Sequence, residues 1–394
     1  MNYFKLFGLF LLSVLIASNK PVDAQGKSSN YPEFSWDKIP QYIHIRKATA
    51  FTDDECRFLA GFPLITLEKT TGAETYGSTD QGSMMAAKAI KTINPKAKVL
   101  YYRNVICHYA GNTFDKDLKK IQTPFLTDRE SGKGKLIRGS VEAYDLSNKA
   151  VRDWWVESAA KVCNSEYIDG LFLDGNIKVL EPGFLLKQIG AEKKATVREG
   201  YQTMMSSIRE ALNPSKLMLA NIIRARLPES GLEYINYFDG SYLEGFTNAV
   251  GLSYPEYLAK GINAVQQAAR SGKIITMNLG LGESSNTTDM IDDTRSKLAE
   301  IKGVEDLLNY YMSIFLVCAE KYSYLNIHDG YSVNTRNGVC DSKVWLHRFP
   351  EFDKPLGMPK GPAVKVGYTY TREFEHASVW LDIEAKKGKV TWHE

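Results

Sequence analysis

Asp174 and Glu244 occupy matching places in a frame that occurs twice, as Asp169-Gly170-Leu171-Phe172-Leu173-Asp174-Gly175 and Asp239-Gly240-Ser241-Tyr242-Leu243-Glu244-Gly245. Both copies read Asp-Gly-x-aromatic-Leu-acid-Gly. Two carboxyl groups held at one depth are the equipment of glycosidic-bond hydrolysis, one protonating the leaving oxygen while the other attacks the anomeric carbon or activates water. Like charges close together raise one pKa, which keeps a proton donor available near neutral pH. An acid before glycine also closes Asx turns and caps helices, so each residue alone is weak evidence; the repeat gives the pair its weight. Asp169 and Asp239, at the opposite ends of the same segments, read as structural turn residues.

Eight short β-branched or aromatic runs alternate with helix-period stretches: Tyr42–Ile45, Leu64–Lys69, Lys98–Asn104, Gly170–Asp174, Leu217–Asn221, Ser241–Glu244, Ile274–Asn278 and Tyr324–His328. This is the signature of a parallel sheet wound with helices. Eight such units in about 300 residues, with no GxGxxG after an early strand, predict an α/β fold of the (β/α)8 TIM-barrel type. Asn94-Pro95 and Asn213-Pro214 each close a helix. Val141–Leu146 is an alternative strand that would displace Tyr42–Ile45 and leave Gly170–Asp174 fourth. Side chains alternate in and out along barrel strands, so equal phase on strands four and six points Asp174 and Glu244 at each other across the carboxyl-end mouth. Strands about 4.8 Å apart then put the two carboxyls roughly 5–6 Å from each other, which favours a retaining mechanism. Asp174 reads as the nucleophile and Glu244 as the acid and base.

Further polar side chains fall at the same strand ends. Lys69 and Arg103 could hold hydroxyl-rich or anionic groups, Asn104, Asn221 and Asn278 could hydrogen-bond sugar hydroxyls, and His328 could bind substrate or a carboxylate. Glu68 and Asp329 join them. Tyr102, Tyr109 and Tyr242 offer faces for stacking on sugar rings, although the phase of Tyr242 against Leu243 also allows packing on a helix. The adjacent Trp154 and Trp155 read as helix packing residues.

Tyr144-Asp145-Leu146-Ser147, the Trp154-Trp155 helix, the Asp169–Asp174 strand and the tail Tyr370-Thr371-Arg372-Glu373-Phe374 resemble secreted TIM-barrel glycoside hydrolases of the hypothetical glycosyl hydrolase families, which are related to endo-α-1,4-polygalactosaminidases. The size and plan are also similar to endo-fucanases of glycoside hydrolase family 168. The resemblance implies an acidic pair on strands four and six, at Asp174 and Glu244.

The 394 residues are 44% apolar and 24% charged, ordinary globular values, and 49 basic against 46 acidic side chains argue against a nucleic-acid partner. Lys5, the apolar run Leu6–Ala17 and the small residues before Gln25 predict a signal peptide over 1–24, hence a secreted or periplasmic protein. That run is too short to span a bilayer, so no stable membrane insertion is expected. The five cysteines form no CxxC and there is no HExxH, so neither a metal nor any other cofactor is expected. An odd cysteine number leaves at least one outside any disulfide, and Cys318 reads as a buried helix residue. Residues 25–340 read as the catalytic barrel, with an insertion or lid over Ala110–Arg138. Residues 341–394 read as a small antiparallel element packed on it, with strands Val364–Tyr370, Ala377–Ile383 and Lys389–Trp392 and a turn at Lys386-Lys387-Gly388. The resulting expectation is a retaining, endo-acting glycoside hydrolase of an extracellular polysaccharide, with an anionic or sulfated polymer such as fucan among the substrates. The alternatives are a non-catalytic carbohydrate-binding barrel and a structural exported protein whose two acids are caps.

Overall fold

The computed structural model describes residues 30–281, 304–342 and 344–393; the signal-peptide reading over 1–24 lies outside them. Eight parallel strands run in sequence order: β1 (Ile43–Ile45), β2 (Leu64–Leu67), β3 (Lys98–Asn104), β4 (Gly170–Asp174), β5 (Leu217–Asn221), β6 (Gly240–Leu243), β7 (Ile274–Gly280) and β8 (Ser323–His328). Pairing of Tyr42 N with Leu325 O at 2.9 Å and of Leu325 N with Pro40 O at 2.8 Å joins the first strand to the last. The fold is the TIM barrel expected. Val141–Leu146 forms only isolated bridges, to Ile137, Cys107 and Phe125, and is no barrel strand.

The period of two sorts every strand. Tyr42, Leu64, Leu100, Tyr102, Phe172, Leu219, Tyr242 and Tyr324 form one buried cluster inside the barrel, while the alternate residues pack under the helices. That many rings leave no room for a full ring of side chains at each level. The first glycine of each repeated frame supplies the space: a Cβ on Gly170 would sit 2.3 Å from Leu217 O, and one on Gly240 only 2.0 Å from Ile274 O. The aspartates before them secure the same seams from the amino end. Asp169 accepts from Val99 N at 2.9 Å and pairs with Lys91, while Asp239 accepts from Met218 N at 2.8 Å and pairs with Arg209. The frame thus repeats because one structural task, seating a strand close to the next, is done twice.

Major helices cover the outside at Thr79–Ile93, Lys149–Cys163, Ala191–Ala211, Tyr254–Arg270 and Val304–Cys318. Trp155 is fully buried, and its indole nitrogen donates to Asn104 O at 3.0 Å; Trp154 donates to Phe114 O at 3.1 Å. Both tryptophans are therefore packing residues that tie the Lys149–Cys163 helix to β3 and to the segment following it. Ala110–Arg138 is irregular apart from the short helix Asp115–Leu118. All five cysteines are free, Cys318 being buried as expected. No helix among the described residues is long and apolar enough to cross a membrane.

After the barrel come the small hairpin β9 (Thr335–Arg336) and β10 (Val339–Cys340), then a four-stranded antiparallel sheet of β11 (Val364–Val366), β12 (Thr369–Glu373), β13 (Ala377–Asp382) and β14 (Lys387–Trp392). The expected single strand Val364–Tyr370 is two, because Gly367, at φ +60°, turns the chain between β11 and β12. The turn expected at Lys386-Lys387-Gly388 falls earlier, with Lys386 at φ +55°, and Gly388 lies inside β14. A Cβ there would meet Ser313 and Tyr310 of the Val304–Cys318 helix within 2.8 Å, so this glycine serves close packing of the sheet on the helix. Arg372 from β12 donates to Leu316 O at 3.0 Å and pairs with Glu320, anchoring the same contact.

Candidate active site

Three neighbouring strands deliver the acids and the group between them. Asp174 closes β4, Asn221 closes β5, and Glu244 follows β6, so all three reach the carboxyl-end mouth. Gly175, at φ +82°, turns the chain away directly after Asp174, and its N–H donates to Asp174 Oδ1 at 2.7 Å. Asn221 Nδ2 contacts Asp174 Oδ1 at 3.3 Å and Glu244 Oε2 at 3.1 Å. One amide nitrogen thus spans both carboxyls, and the two contacts together limit their separation to about 6.4 Å.

Asp174 is surrounded by donors. Besides Gly175 and Asn221, its Oδ2 accepts from Tyr102 Oη at 2.7 Å and Asn104 Nδ2 at 3.2 Å. Asn104 cannot turn over, because its Oδ1 already accepts from Ile106 N at 3.0 Å and Cys107 N at 2.6 Å. Glu244 accepts from Tyr331 Oη at 3.1 Å on Oε1, and Arg224 lies 3.5 Å from Oε2. Burial at the mouth raises the pKa of Glu244 above the ordinary glutamate range; Arg224 opposes the rise and the neighbouring Asp174 charge adds to it. Its side chain nonetheless keeps 34% of its surface accessible, so the acid is desolvated by the walls while open to a ligand from above.

A third carboxylate lies deeper. Glu68, past the end of β2, is 3% exposed; burial alone would raise its pKa, but Lys69 in contact and Arg46 at 3.3 Å outweigh this and hold it down at about 2. His44 on β1 and His328 on β8 are kept neutral by burial, their pKa values lowered to about 4 and about 3. His328 Nδ1 accepts from Gly330 N at 3.0 Å, and its ring stacks on Tyr331 at 4.5 Å.

The other sequence-selected residues divide by strand phase. Tyr102, Asn104, Asn221, Tyr242, Asn278 and His328 all face the barrel axis or its mouth. Tyr242 is an interior residue and not a helix contact: it is 2% exposed and donates to Tyr331 Oη at 2.9 Å. Neither Tyr102 nor Tyr242 presents a free face to a sugar, because Tyr102 is also buried, stacked beside Phe172 at 5.8 Å and beneath the Lys69 ammonium at 5.2 Å. Lys69 also lies 5.1 Å from the Tyr109 ring, which remains half-buried at the mouth. Arg103 is misplaced by the sequence reading. It points outward, 4% exposed, with its guanidinium 4.7 Å from the Phe114 ring, 5.5 Å from Trp154 and 5.3 Å from Trp155, because residue 103 must oppose 102 and 104 on a strand.

Sequence reasoning missed His44, Arg224 and Tyr331. His44 carried a signal, being in phase with the inward Tyr42. Arg224 and Tyr331 each stand three residues beyond a strand's last inward polar residue, in loops where alternation no longer fixes direction. Among the described residues no group of three or more His, Cys, Asp or Glu side chains could hold a metal ion.

A sequence model of hypothetical glycosyl hydrolase family 15 matches residues 91–378. No curated protein sequence matches the chain. Solved structures with a similar fold include a GH36 alpha-galactosidase variant from Geobacillus stearothermophilus, crystallised with 1-deoxygalactonojirimycin, at 11% identity and TM-score 0.50, covering 89% of this chain and 48% of that one. A maltogenic alpha-amylase from Thermotoga neapolitana matches at 13% identity and TM-score 0.48, covering 88% of this chain and 86% of that one. An alpha-amylase from Geobacillus thermoleovorans with acarbose matches at 12% identity and TM-score 0.49, covering 88% and 87%.

Proposed function

Since the chain belongs to hypothetical glycosyl hydrolase family 15 and is by that membership a glycoside hydrolase, we propose that it cleaves an extracellular polysaccharide internally, with retention of configuration, using Asp174 and Glu244. The observation that carries the reading is the shared Asn221 amide. A planar –NH2 that gives one hydrogen to each carboxyl does so at about 120°, and its contacts of 3.3 and 3.1 Å then separate Asp174 Oδ1 from Glu244 Oε2 by about 5.5 Å. Retaining pairs stand roughly 5–5.5 Å apart and inverting pairs roughly 6.5–9.5 Å, leaving room for a water.

In this mechanism the Asp174 carboxylate attacks the anomeric carbon while Glu244 gives its proton to the departing glycosidic oxygen. The glycosyl–Asp174 ester is then displaced by water, whose proton passes to Glu244. The raised pKa of Glu244 suits the acid half of that cycle. Export, read from residues 1–24, would bring the enzyme to polymers too large to import. A sulfated polymer such as fucan gains no special support from the mouth, where Lys69 and Arg46 pair with Glu68 and Arg224 faces Glu244; galactosaminan, fucan and neutral glycans therefore belong in one substrate panel. The test is release of reducing ends and loss of viscosity across that panel, with the first-formed product anomer followed by proton NMR. Retained configuration and a fast fall in viscosity are expected. An inverted product refutes the mechanism, and release of single sugars without loss of viscosity refutes the internal cut.

A further inference from the structure

Tyr331 lies in the turn after β8, is 5% exposed, and reaches back over the barrel interior to Glu244. Its hydroxyl meets three polar groups: Tyr242 Oη at 2.9 Å, Asn278 Nδ2 at 2.9 Å and Glu244 Oε1 at 3.1 Å. Tyr242 donates to Tyr331, and a neighbour sets the direction of the Asn278 bond. Asn278 Oδ1 is taken by Asn326 Nδ2, so the nitrogen of its amide is the atom turned to Tyr331. A phenol has one hydrogen and two lone pairs. With Tyr242 and Asn278 both donating, the Tyr331 proton is directed to the carboxyl of Glu244.

We propose that Tyr331 is a positioning residue whose donation to Oε1 fixes the rotation of the Glu244 carboxyl, so that Oε2, which also receives the Asn221 amide, faces Arg224 and is turned toward Asp174, is the oxygen that exchanges the proton with substrate. The proposal rests on the reading of Glu244 as the acid and base. In the first step the Oε2–H bond breaks as the leaving oxygen gains the proton and Asp174 bonds to the anomeric carbon. In the second, water gives its proton back to Oε2 as its oxygen displaces Asp174. Tyr331, Tyr242 and Asn278 change no bond order; they fix the rotation of the carboxyl so that one oxygen faces both reacting partners.

The groups acting on Glu244 come from several elements: Asp174 on β4, Asn221 on β5, Arg224 after it, Tyr242 on β6, Lys69 past β2 and Tyr331 after β8. Burial and Asp174 favour the neutral carboxyl, whereas Arg224, Tyr331 and Lys69 favour the carboxylate. Removing the Tyr331 hydroxyl therefore moves the balance toward the protonated form.

The test is a carbon-13 titration of the Glu244 carboxyl, its signal assigned by its loss in Glu244→Gln. Tyr331→Phe keeps the ring on His328 and removes the O–H; the titration is expected to move up by about one unit. Tyr331→3-fluorotyrosine, nearly isosteric and a stronger donor, is expected to move it down. The basic limb of kcat/KM should follow in the same two directions, with KM little changed, which a merely structural tyrosine would not produce. A wild-type protein that hydrolyses no glycan sinks the hydrolase reading and leaves the NMR titration to decide this one. A Glu244 signal that titrates at the same pH in all three proteins overturns the proposal.

Discussion

Asp174→Asn is nearly isosteric, yet the surroundings make it a demanding replacement. All four groups around the carboxyl are donors, from Gly175, Asn221, Tyr102 and Asn104. An asparagine must turn its –NH2 toward one pair of them. Tyr102 can rotate its hydroxyl to accept, but Asn104 is locked by the two backbone N–H groups on its Oδ1, so one donor–donor contact remains. An unsatisfied buried polar group costs about 1–3 kcal/mol. Against this stands relief of repulsion from Glu244, about 3 kcal/mol for two full charges about 5.5 Å apart at an effective dielectric of about 20. The protonation state of Glu244 decides which effect wins. Because its pKa is raised in the folded protein, the stability it contributes is present at low pH and is lost as pH rises through its folded titration. Below that titration Glu244 is neutral, no repulsion is relieved, and Asp174→Asn should lower Tm by several degrees. Above it the relief offsets the cost, and the deficit should close. Turnover should fall by about 10³–10⁵-fold at every pH, about 4–7 kcal/mol of transition-state stabilisation. Melting curves from pH 4 to 9, run beside reducing-end assays, check both parts. A Tm deficit that does not change with pH, or turnover within tenfold of wild type, would refute the reasoning.

The basic limb of the wild-type pH–rate profile should lie above the ordinary glutamate range of about 4.3, because burial holds the Glu244 proton on; a basic limb at or below that ordinary range contradicts the assignment. Arg103→Met should lower Tm, since a desolvated guanidinium among three aromatic rings is worth about 2 kcal/mol, and should leave KM unaltered; a raised KM would return Arg103 to the substrate. Gly240→Ala should cost several kcal/mol in urea unfolding, because its Cβ would overlap Ile274 O; stability within about 0.5 kcal/mol of wild type would show that β6 and β7 can part more easily than their pairing implies.

Much of the barrel and of the acid pair was legible because both depend on periodicity. A period of two, read through Leu171 to Asp174 and Ser241 to Glu244, fixes which side chains look inward without knowledge of any contact. The same rule applied consistently would have excluded Arg103 once Tyr102 and Asn104 were chosen, and would have put Tyr242 beside Glu244 inside the barrel. Tyr331 and Arg224 lay beyond that reach, because a loop residue's direction is set by tertiary packing. The glycines misled in a different way: Gly388 reads as a turn by composition, whereas its use is to let a strand touch a helix. The position of the shared Asn221 amide was readable from strand phase, but its bridging of both acids depends on side-chain rotamers that no spacing encodes.

Tyr42, Phe172, Tyr242 and Tyr324 fill the axis directly below the acids. A sugar chain that reaches Asp174 and Glu244 therefore meets a solid floor and cannot thread onward through the molecule. In the proposed mechanism both halves of a severed polymer leave by the side from which the intact one arrived, and departure of the first fragment clears the doorway before water reaches the glycosyl group left on Asp174.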